Sequence, residues 1–135
     1  MMLNEETRDK LVQLALDVRQ RSYSPYSNYS VGAALLAKSG KIYTGTNVEN
    51  AVYPLTICAE RAAVFTAVSE GDREFEAIAV VSRDGGTPCG ACRQVLAEFN
   101  LEAVVLIANK AGEVQMELSV AELLPESFGP SNLLD

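Results

Sequence analysis

A chain of 135 residues, 48% apolar and 21% charged, has room for one ordinary hydrophobic core, which predicts a single domain spanning residues 1–135. Its net charge of −7 disfavours a phosphate backbone as a partner, so we expect no nucleic-acid polymer to bind. The N-terminus lacks the apolar core of a signal peptide, and no apolar run approaches the roughly 20 residues of a membrane span. We therefore predict a cytoplasmic protein without a membrane partner.

The first part of the chain predicts a helix followed by a β-hairpin. Asn4 is placed to cap the helix, and the apolar residues that follow recur with helical spacing: Leu11, Leu14, Ala15 and Val18. The loop SYSPYSNYS leads to two predicted strands, VGAALLAK and KIYTGTNVE, joined by a Ser-Gly turn. The next segment, NAVYPLT, has no regular pattern.

Helices and apolar strands alternate in the rest of the chain. A helix over about residues 58–70 is apolar on most sides, so we expect it to be buried within the fold. EAIAVVS and AVVLIAN have the composition of strands covered on both faces, and a second helix lies between them, over residues 88–99. EVQMEL pairs beside the last strand, and Ser119 with Glu122 predicts a capping box for a short final helix. The pattern predicts an α/β fold, a three-layer αβα sandwich with a mixed β-sheet.

All three cysteines lie at the starts of the two predicted helices. Cys89 and Cys92 are three residues apart and share one helical face, and Cys58 can supply a third sulfur from the tip of the other helix. Three protein ligands with an open fourth position are typical of catalytic zinc, whereas structural sites close all four positions. The chain has no histidine, so a fourth protein ligand would have to be a carboxylate, for which Glu60 is the near candidate.

Two charged side chains follow Cys58 at the start of this apolar helix. Glu60 is placed to move protons to and from a water at the open metal position. Three thiolates and Zn²⁺ sum to one negative charge, which Arg61, on the same helical face as Cys58, can offset by hydrogen bonding to the sulfurs. The alternative for Glu60 is an ordinary solvated glutamate, and the alternative for Arg61 is a surface ion pair.

A different chemistry also fits part of this pattern. A strand, a loop and CGAC at the start of a helix have the form of a thiol–disulfide redox motif based on Cys89 and Cys92. Buried, inert cysteines are a further alternative. The redox hypothesis leaves the run from Cys58 to Arg61 without a role, and the chain lacks the tryptophan that commonly precedes such a motif.

The motifs CAE, at residues 58–60, and PCGAC, at 88–92, resemble the signature of zinc-dependent nucleobase and nucleoside deaminases. The similarity extends through PYSNYSVGAALL, GTNVENAVYPLTICAERAAVF, AVSEGDREFEAIAV, PCGACRQVLAEF and ELLPESFGP, and covers residues 23–130 in order. Over this span the chain is similar to the small homotetrameric cytidine deaminases. The resemblance implies their fold and one Zn²⁺ per subunit, with Glu60 as the catalytic proton shuttle and three zinc ligands: Cys58, Cys89 and Cys92.

The resemblance also implies contacts to a nucleoside. Asn47 and Glu49 of the NVEN segment would hold the ribose hydroxyls, with an ordinary polar loop after a strand as the alternative. The backbone around Ala59 would accept from the exocyclic amine. Tyr29 occupies a position that is usually phenylalanine in the family and lies on or beside the base, so its added hydroxyl needs a partner or solvent. Gln94 would support the metal-binding helix, with ordinary core or surface polarity as the alternative.

The resemblance further implies a homotetramer with shared active sites. Phe128 would reach a neighbouring subunit and stack on its pyrimidine, and Tyr53 would lie at the same kind of contact. The alternative is that Phe128 packs on its own subunit.

The implied reaction is hydrolytic deamination of cytidine and 2′-deoxycytidine to uridine and 2′-deoxyuridine, with release of ammonia, as in pyrimidine salvage. A deaminase of another aminopyrimidine nucleoside, of the N4-substituted cytidine or blasticidin S type, is the alternative within this chemistry. A thiol–disulfide protein is the alternative outside it.

Overall fold

Five strands form one mixed sheet in the computed structural model, which describes residues 3–134. The elements in chain order are α1 (Glu5–Arg19), β1 (Gly32–Ala37), β2 (Ile42–Thr46), α2 (Ala59–Ser69), β3 (Phe75–Val81), α3 (Gly90–Phe99), β4 (Val104–Ala108), β5 (Val114–Ser119) and α4 (Val120–Leu123), with 3₁₀ turns at Tyr53–Leu55 and Pro130–Asn132. The strand order is β2-β1-β3-β4-β5; β3 and β4 are parallel, and the other neighbours are antiparallel.

The sheet is covered on both faces, which confirms the three-layer sandwich. Helix α1 packs on one face, where its apolar stripe meets alternate residues of β1, β3 and β4. Helices α2, α3 and α4 cover the other face, where they meet the intervening residues of the same strands. The two faces explain why β1 and β4 are buried along their whole length and show no polar alternation.

The ends of the helices follow the signals in the sequence. Asn4 caps α1, since its side-chain oxygen accepts from the Thr7 N–H at 2.8 Å. Ser119 and Glu122 form the predicted capping box at the start of α4. Within residues 3–134, no helix is long and apolar enough to cross a membrane.

Gly45 on β2 allows α2 to lie directly on the sheet. A Cβ atom at this position would lie 2.5 Å from the Ala63 nitrogen and 2.7 Å from the Ala59 carbonyl oxygen, distances that side-chain carbons do not adopt. The close approach fixes the N-terminal half of α2 over β2 and thereby positions the residues at the helix tip.

The expectation that α2 is buried on most sides is wrong for one side of the helix. Ala63, Val64 and Ala67 face the core, but Phe65 is 47% exposed and Val68 also reaches the surface. The apolar composition of α2 therefore exceeds what one subunit can bury.

The strand register brings several loops together at one end of the sheet. Thr46 ends β2, Gly32 begins β1 and Val81 ends β3, and these three residues are level with one another across the sheet. The residues just beyond them are consequently neighbours in space, although they are far apart in sequence. The N-termini of α2 and α3 also lie at this end of the sheet.

Candidate active site

A concave pocket of about 280 Å³ occupies this end of the sheet. Its walls come from the loop after α1, the segment after β2, the tip of α2 and the loop from β3 to α3. The lining residues are Ser27, Tyr29, Val31, Asn47, Glu49, Thr56, Cys58, Ala59, Glu60, Val80, Ser82, Gly86, Thr87 and Cys89. A pocket of this kind, largely apolar with a few convergent polar groups, is typical of a small-molecule site.

The three cysteines converge beside this pocket. Cys58 is the N-cap of α2, Cys89 is the N-cap of α3, and Cys92 lies in the first turn of α3. The Sγ atoms of Cys58 and Cys89 are 3.8 Å apart, those of Cys89 and Cys92 are 3.4 Å apart, and all three lie within 4.8 Å of one another. Residues 3–134 contain no second group of three potential metal ligands that converge in this way.

The separation of the sulfurs fits a tetrahedral zinc ion. Zinc–sulfur bonds of about 2.3 Å at tetrahedral angles place two sulfurs about 3.8 Å apart. The thiols are free and lie close to that spacing. Three thiols with a pocket on the open side have the donor set of a catalytic zinc site.

The surroundings of the cluster favour negative charge on sulfur. Two helix N-termini meet there, and their positive ends stabilise thiolates. The Arg61 guanidinium lies 3.2 Å from the Cys58 sulfur. Hydrogen bonding from Cys92, together with Arg61, lowers the pKa of Cys58 to about 5, and the same bond keeps the proton on Cys92 and raises its pKa.

Glu60 is a carboxyl group held out of water beside the sulfurs. It lies in the first turn of α2, lines the pocket, and is only 4% exposed. Burial raises its pKa to about 7, and the charge of Cys58 contributes in the same direction. A carboxyl group with a pKa near neutrality is suited to both accepting and donating protons.

Asn47 and Glu49 both line the pocket and also hold its loops together. The Asn47 side chain accepts from the Val31 N–H at 3.0 Å and donates to the Tyr29 carbonyl at 2.8 Å. One Glu49 carboxylate oxygen accepts from the N–H groups of Tyr26 and Ser27 at 2.9 and 3.1 Å, and hydrogen bonding by Ser27 lowers the pKa of Glu49. Glu49 is therefore a fixed negative charge at the pocket wall.

The Tyr29 hydroxyl has the partners that its polarity requires. It lies 2.6 Å from Asp84 Oδ1 and 2.9 Å from Ser82 Oγ. Burial and the Asp84 carboxylate raise the pKa of Tyr29, so the phenol is neutral near pH 7.

Five of the expected site residues do not line this pocket: Cys92 and Arg61, which belong to the thiol cluster, and Tyr53, Phe128 and Gln94. Tyr53 is 69% exposed and borders a neighbouring depression shared with Glu49, and Phe128 is 59% exposed. Gln94 is exposed, and its amide donates to the Phe128 carbonyl at 2.8 Å, so it holds the C-terminal segment.

Arg93 is the supporting residue that sequence reasoning missed. It donates to the Pro88 carbonyl at 2.7 Å, to the Leu123 carbonyl at 2.8 Å and to Thr87 Oγ1 at 3.0 Å. These bonds fix the two residues before Cys89. The CRQ run placed a polar pair after the metal motif, but it did not show which of the two faces the loop.

Comparisons with known proteins point to one protein family. The family model described as "Cytidine and deoxycytidylate deaminase zinc-binding region" matches residues 5–108. A cytidine deaminase of Sporosarcina psychrophila is 49% identical over 128 residues, which cover 93% of each chain. A cytidine deaminase of Halalkalibacterium halodurans is 47% identical over 131 residues, which cover 95% of this chain and 98% of the relative.

Solved structures show the same similarity. A crystal structure of cytidine deaminase from Burkholderia pseudomallei superimposes with a TM-score of 0.85 at 44% identity, and the match covers 93% of this chain and 100% of the other. The cytidine deaminase structure from Mycobacterium tuberculosis gives a TM-score of 0.79 at 38% identity, covering 90% and 96%.

Proposed function

The chain belongs to the cytidine and deoxycytidylate deaminase family, and we propose that it hydrolyses cytidine and 2′-deoxycytidine to uridine and 2′-deoxyuridine, releasing ammonia. The observation that carries this proposal is the buried carboxyl group of Glu60, which lines a pocket beside three convergent thiols. Relatives that are named cytidine deaminases and align over nearly the whole chain support it.

The proposed cofactor is one Zn²⁺ per subunit, held by Cys58, Cys89 and Cys92. The spacing of their sulfurs, the two helix N-termini and Arg61 support this assignment. When bound, zinc supplies Lewis acidity that makes water a nucleophile at neutral pH. The redox alternative uses only Cys89 and Cys92 and leaves the third converging sulfur unexplained.

Glu60 is the proposed proton shuttle of the reaction. Water adds to C4 of the pyrimidine, and Glu60 accepts the proton that this water loses. The carboxyl group passes this proton to N3, then accepts the second proton of the water from the hydroxyl group at C4 and delivers it to the departing amine, so that one water is consumed and one ammonia is released. A pKa near 7 suits this double role, because the group must both take up and release protons at the working pH.

The pocket walls supply contacts for the nucleoside in this proposal. Glu49 would accept from a ribose hydroxyl with the lone pairs that Tyr26 and Ser27 leave free. Asn47 retains one amide hydrogen after its bond to the Tyr29 carbonyl and would donate it to the ribose. The ring of Tyr29 would line the base, and the Ala59 backbone would accept from the exocyclic amine.

The proposed working form is a homotetramer of single catalytic domains with shared sites. Phe128 and Tyr53 are exposed in one subunit, as side chains that complete a neighbour's pocket would be. The exposed side of α2 adds an apolar surface that a partner subunit would cover. Cytoplasmic residence stays a prediction, and the free thiols suit a reducing compartment.

An ultraviolet assay with a substrate panel tests the proposed function. We expect the cytidine and 2′-deoxycytidine chromophores to be lost with equimolar ammonia, while free cytosine, which has no ribose for Asn47 and Glu49, remains. The Glu60→Gln variant, purified in parallel, controls for a contaminating host deaminase. Consumption of only N4-acyl cytidines or blasticidin S would support the alternative substrate class. Metal-free protein with a Cys89–Cys92 disulfide would support the redox alternative.

A further inference from the structure

The loop between β3 and α3, residues 82–88, is attached to Tyr29, which comes from the loop after α1. The phenol oxygen lies 2.6 Å from Asp84 Oδ1 and 2.9 Å from Ser82 Oγ. Ser82 Oγ in turn accepts from the Gly86 N–H at 2.9 Å. One hydroxyl group therefore connects two turns of the chain that are more than fifty residues apart.

The chemistry of these side chains indicates which of them donates the hydrogen bond. A phenol carries one hydrogen, and the shorter contact is to a carboxylate, so Tyr29 donates to Asp84. The Ser82 hydroxyl lies within hydrogen-bond distance of the same phenol oxygen. Ser82 is buried, and the bonds to Tyr29 and Gly86 satisfy its hydroxyl group.

The loop also encloses the tyrosine ring by shape. A Cβ atom at Gly86 would lie 2.6 Å from the Tyr29 hydroxyl, so a larger residue there would displace the tyrosine side chain. The Arg83 guanidinium lies over the ring, 5.1 Å from its centroid. Gly85 adopts a φ of +73°, a left-handed conformation that favours glycine, and Gly86 follows it directly.

We propose that Tyr29 is a positioning residue whose hydroxyl, bonded to Ser82 and Asp84, holds the 82–88 loop in the shape that places Cys89 at the thiol cluster and Gly86 and Thr87 at the pocket wall. We call these three bonded side chains, Tyr29, Ser82 and Asp84, the phenol latch. The inference deepens the proposed function and rests on it for its effect on substrate.

The phenol latch positions one wall of the pocket and does not hold Glu60 or Cys58. Glu60 and Cys58 belong to α2, which is held by its packing on β2. Arg93 holds Thr87 and Pro88 at the far end of the loop, so the backbone that leads to Cys89 depends on the latch at one end and on Arg93 at the other. Loss of the latch therefore frees the 82–86 part, so that substrate and metal must order it on binding, while the chemical step proceeds at its normal rate.

The test compares Tyr29→Phe and Asp84→Ala with the matched control Tyr43→Phe. Tyr43 also bonds an aspartate through its hydroxyl, but that partner, Asp72, lies beyond the C-terminus of α2, at the opposite end of the helix from Cys58. Hydrogen–deuterium exchange of the 82–88 peptide, zinc transfer to a chromogenic chelator, and KM and kcat for cytidine are measured on all three variants and on the unmodified protein.

Both latch variants should exchange the 82–88 amides about 2- to 10-fold faster, as the loss of one hydrogen bond predicts. They should release zinc faster and raise KM by a similar factor, with kcat within about twofold of the original. Tyr43→Phe should change none of these quantities. The second latch variant keeps the ring of Tyr29, so a shared effect belongs to the bond rather than to ring contact with substrate.

Unchanged exchange in the 82–88 loop, or faster exchange with KM and zinc release unchanged, would overturn the proposal. The same changes in Tyr43→Phe would also overturn it, because the effect would then be general destabilisation. If the unmodified protein does not deaminate cytidine, the proposed function fails, and the exchange and zinc-release measurements still decide whether the latch exists.

Discussion

Glu60 is an unfavourable residue for the first turn of a buried helix unless its carboxyl group is used. Taking an ionisable group out of water costs free energy, which appears here as a pKa of about 7. No apolar packing requirement explains a glutamate at this position. The buried side chain instead brings a proton donor and acceptor to the wall of the pocket, beside the sulfurs.

Glu60→Gln should preserve the fold and the metal content but lower kcat by at least about 10²–10⁴, because the amide cannot exchange protons and the group serves several transfers. Steady-state kinetics and zinc analysis of the purified variant check this. Glu98→Gln is the matched control, because Glu98 is exposed on α3, and it should leave kcat unchanged. Turnover near that of the unmodified protein in Glu60→Gln would remove Glu60 from the mechanism.

Arg61 is expected to stabilise bound zinc without touching it. Its guanidinium bonds the Cys58 sulfur at 3.2 Å and offsets the excess negative charge of three thiolates. Arg61→Gln should weaken zinc affinity about 10- to 100-fold, measured by competition with a chelator of known affinity. Arg73→Gln removes an exposed arginine elsewhere and should bind zinc as before. Equal affinities in the two variants would contradict this role.

The thiol cluster could be predicted from the sequence, whereas its supporting contacts could not. Helical spacing alone brings Cys89 and Cys92 together, and the two-motif pattern adds Cys58. The bond from Tyr29 to Asp84 joins two loops, and no periodicity relates residues so far apart in sequence. Arg93 was missed for a similar reason, since its contact to Leu123 depends on how α4 returns to the sheet.

At the scale of elements, the site exists because two helix tips and three strand ends meet. Each helix and strand was predictable from its own apolar period and caps, and the structure confirms their order. The β1–β2 and β4–β5 pairs were predicted and are confirmed, but the placement of β3 between them was not predictable in this way, because it depends on which edges pair after the chain has folded. The burial of α2 was overestimated, because composition does not show which side meets a partner.

The bonds from Arg93 should matter for stability as well as for the site, because they connect the loop before α3 to the end of α4. Arg93→Lys keeps the charge but cannot reproduce the planar fork. We expect a loss of about 1–3 kcal/mol in the free energy of unfolding, measured by urea denaturation. Arg73→Lys on the exposed segment before β3 should change it by less than about 0.5 kcal/mol. A similarly small change in Arg93→Lys would show that the hydrogen bonds of Arg93 do not contribute measurably to stability.

At the scale of the whole molecule, one subunit leaves apolar side chains uncovered in several places. Phe65 on α2, Tyr53 and Leu55 in the first 3₁₀ turn, and Phe128 near the C-terminus are all exposed. Large exposed apolar groups of this kind commonly mark an interface. The sequence of one chain indicates that such groups exist, but the symmetry that covers them is a property of several chains.

We predict that the assembly is a tetramer, as the resemblance to homotetrameric cytidine deaminases implies, and that its loss damages substrate binding before it damages the metal site. Light scattering should give about four times 14.5 kDa. Phe128→Ala removes a ring that would stack on a neighbour's pyrimidine, a contact that contributes roughly 1–3 kcal/mol, so KM should rise about 5- to 150-fold with full zinc content.

Phe65→Glu places a charge on the exposed side of α2 and should yield species smaller than the tetramer. Glu113→Gln, on the turn before β5, is the surface control for both measurements. A fully active monomer at assay concentration would contradict the shared-site arrangement, and it would leave the chemistry of Glu60 and the three cysteines intact, because all four residues belong to one chain.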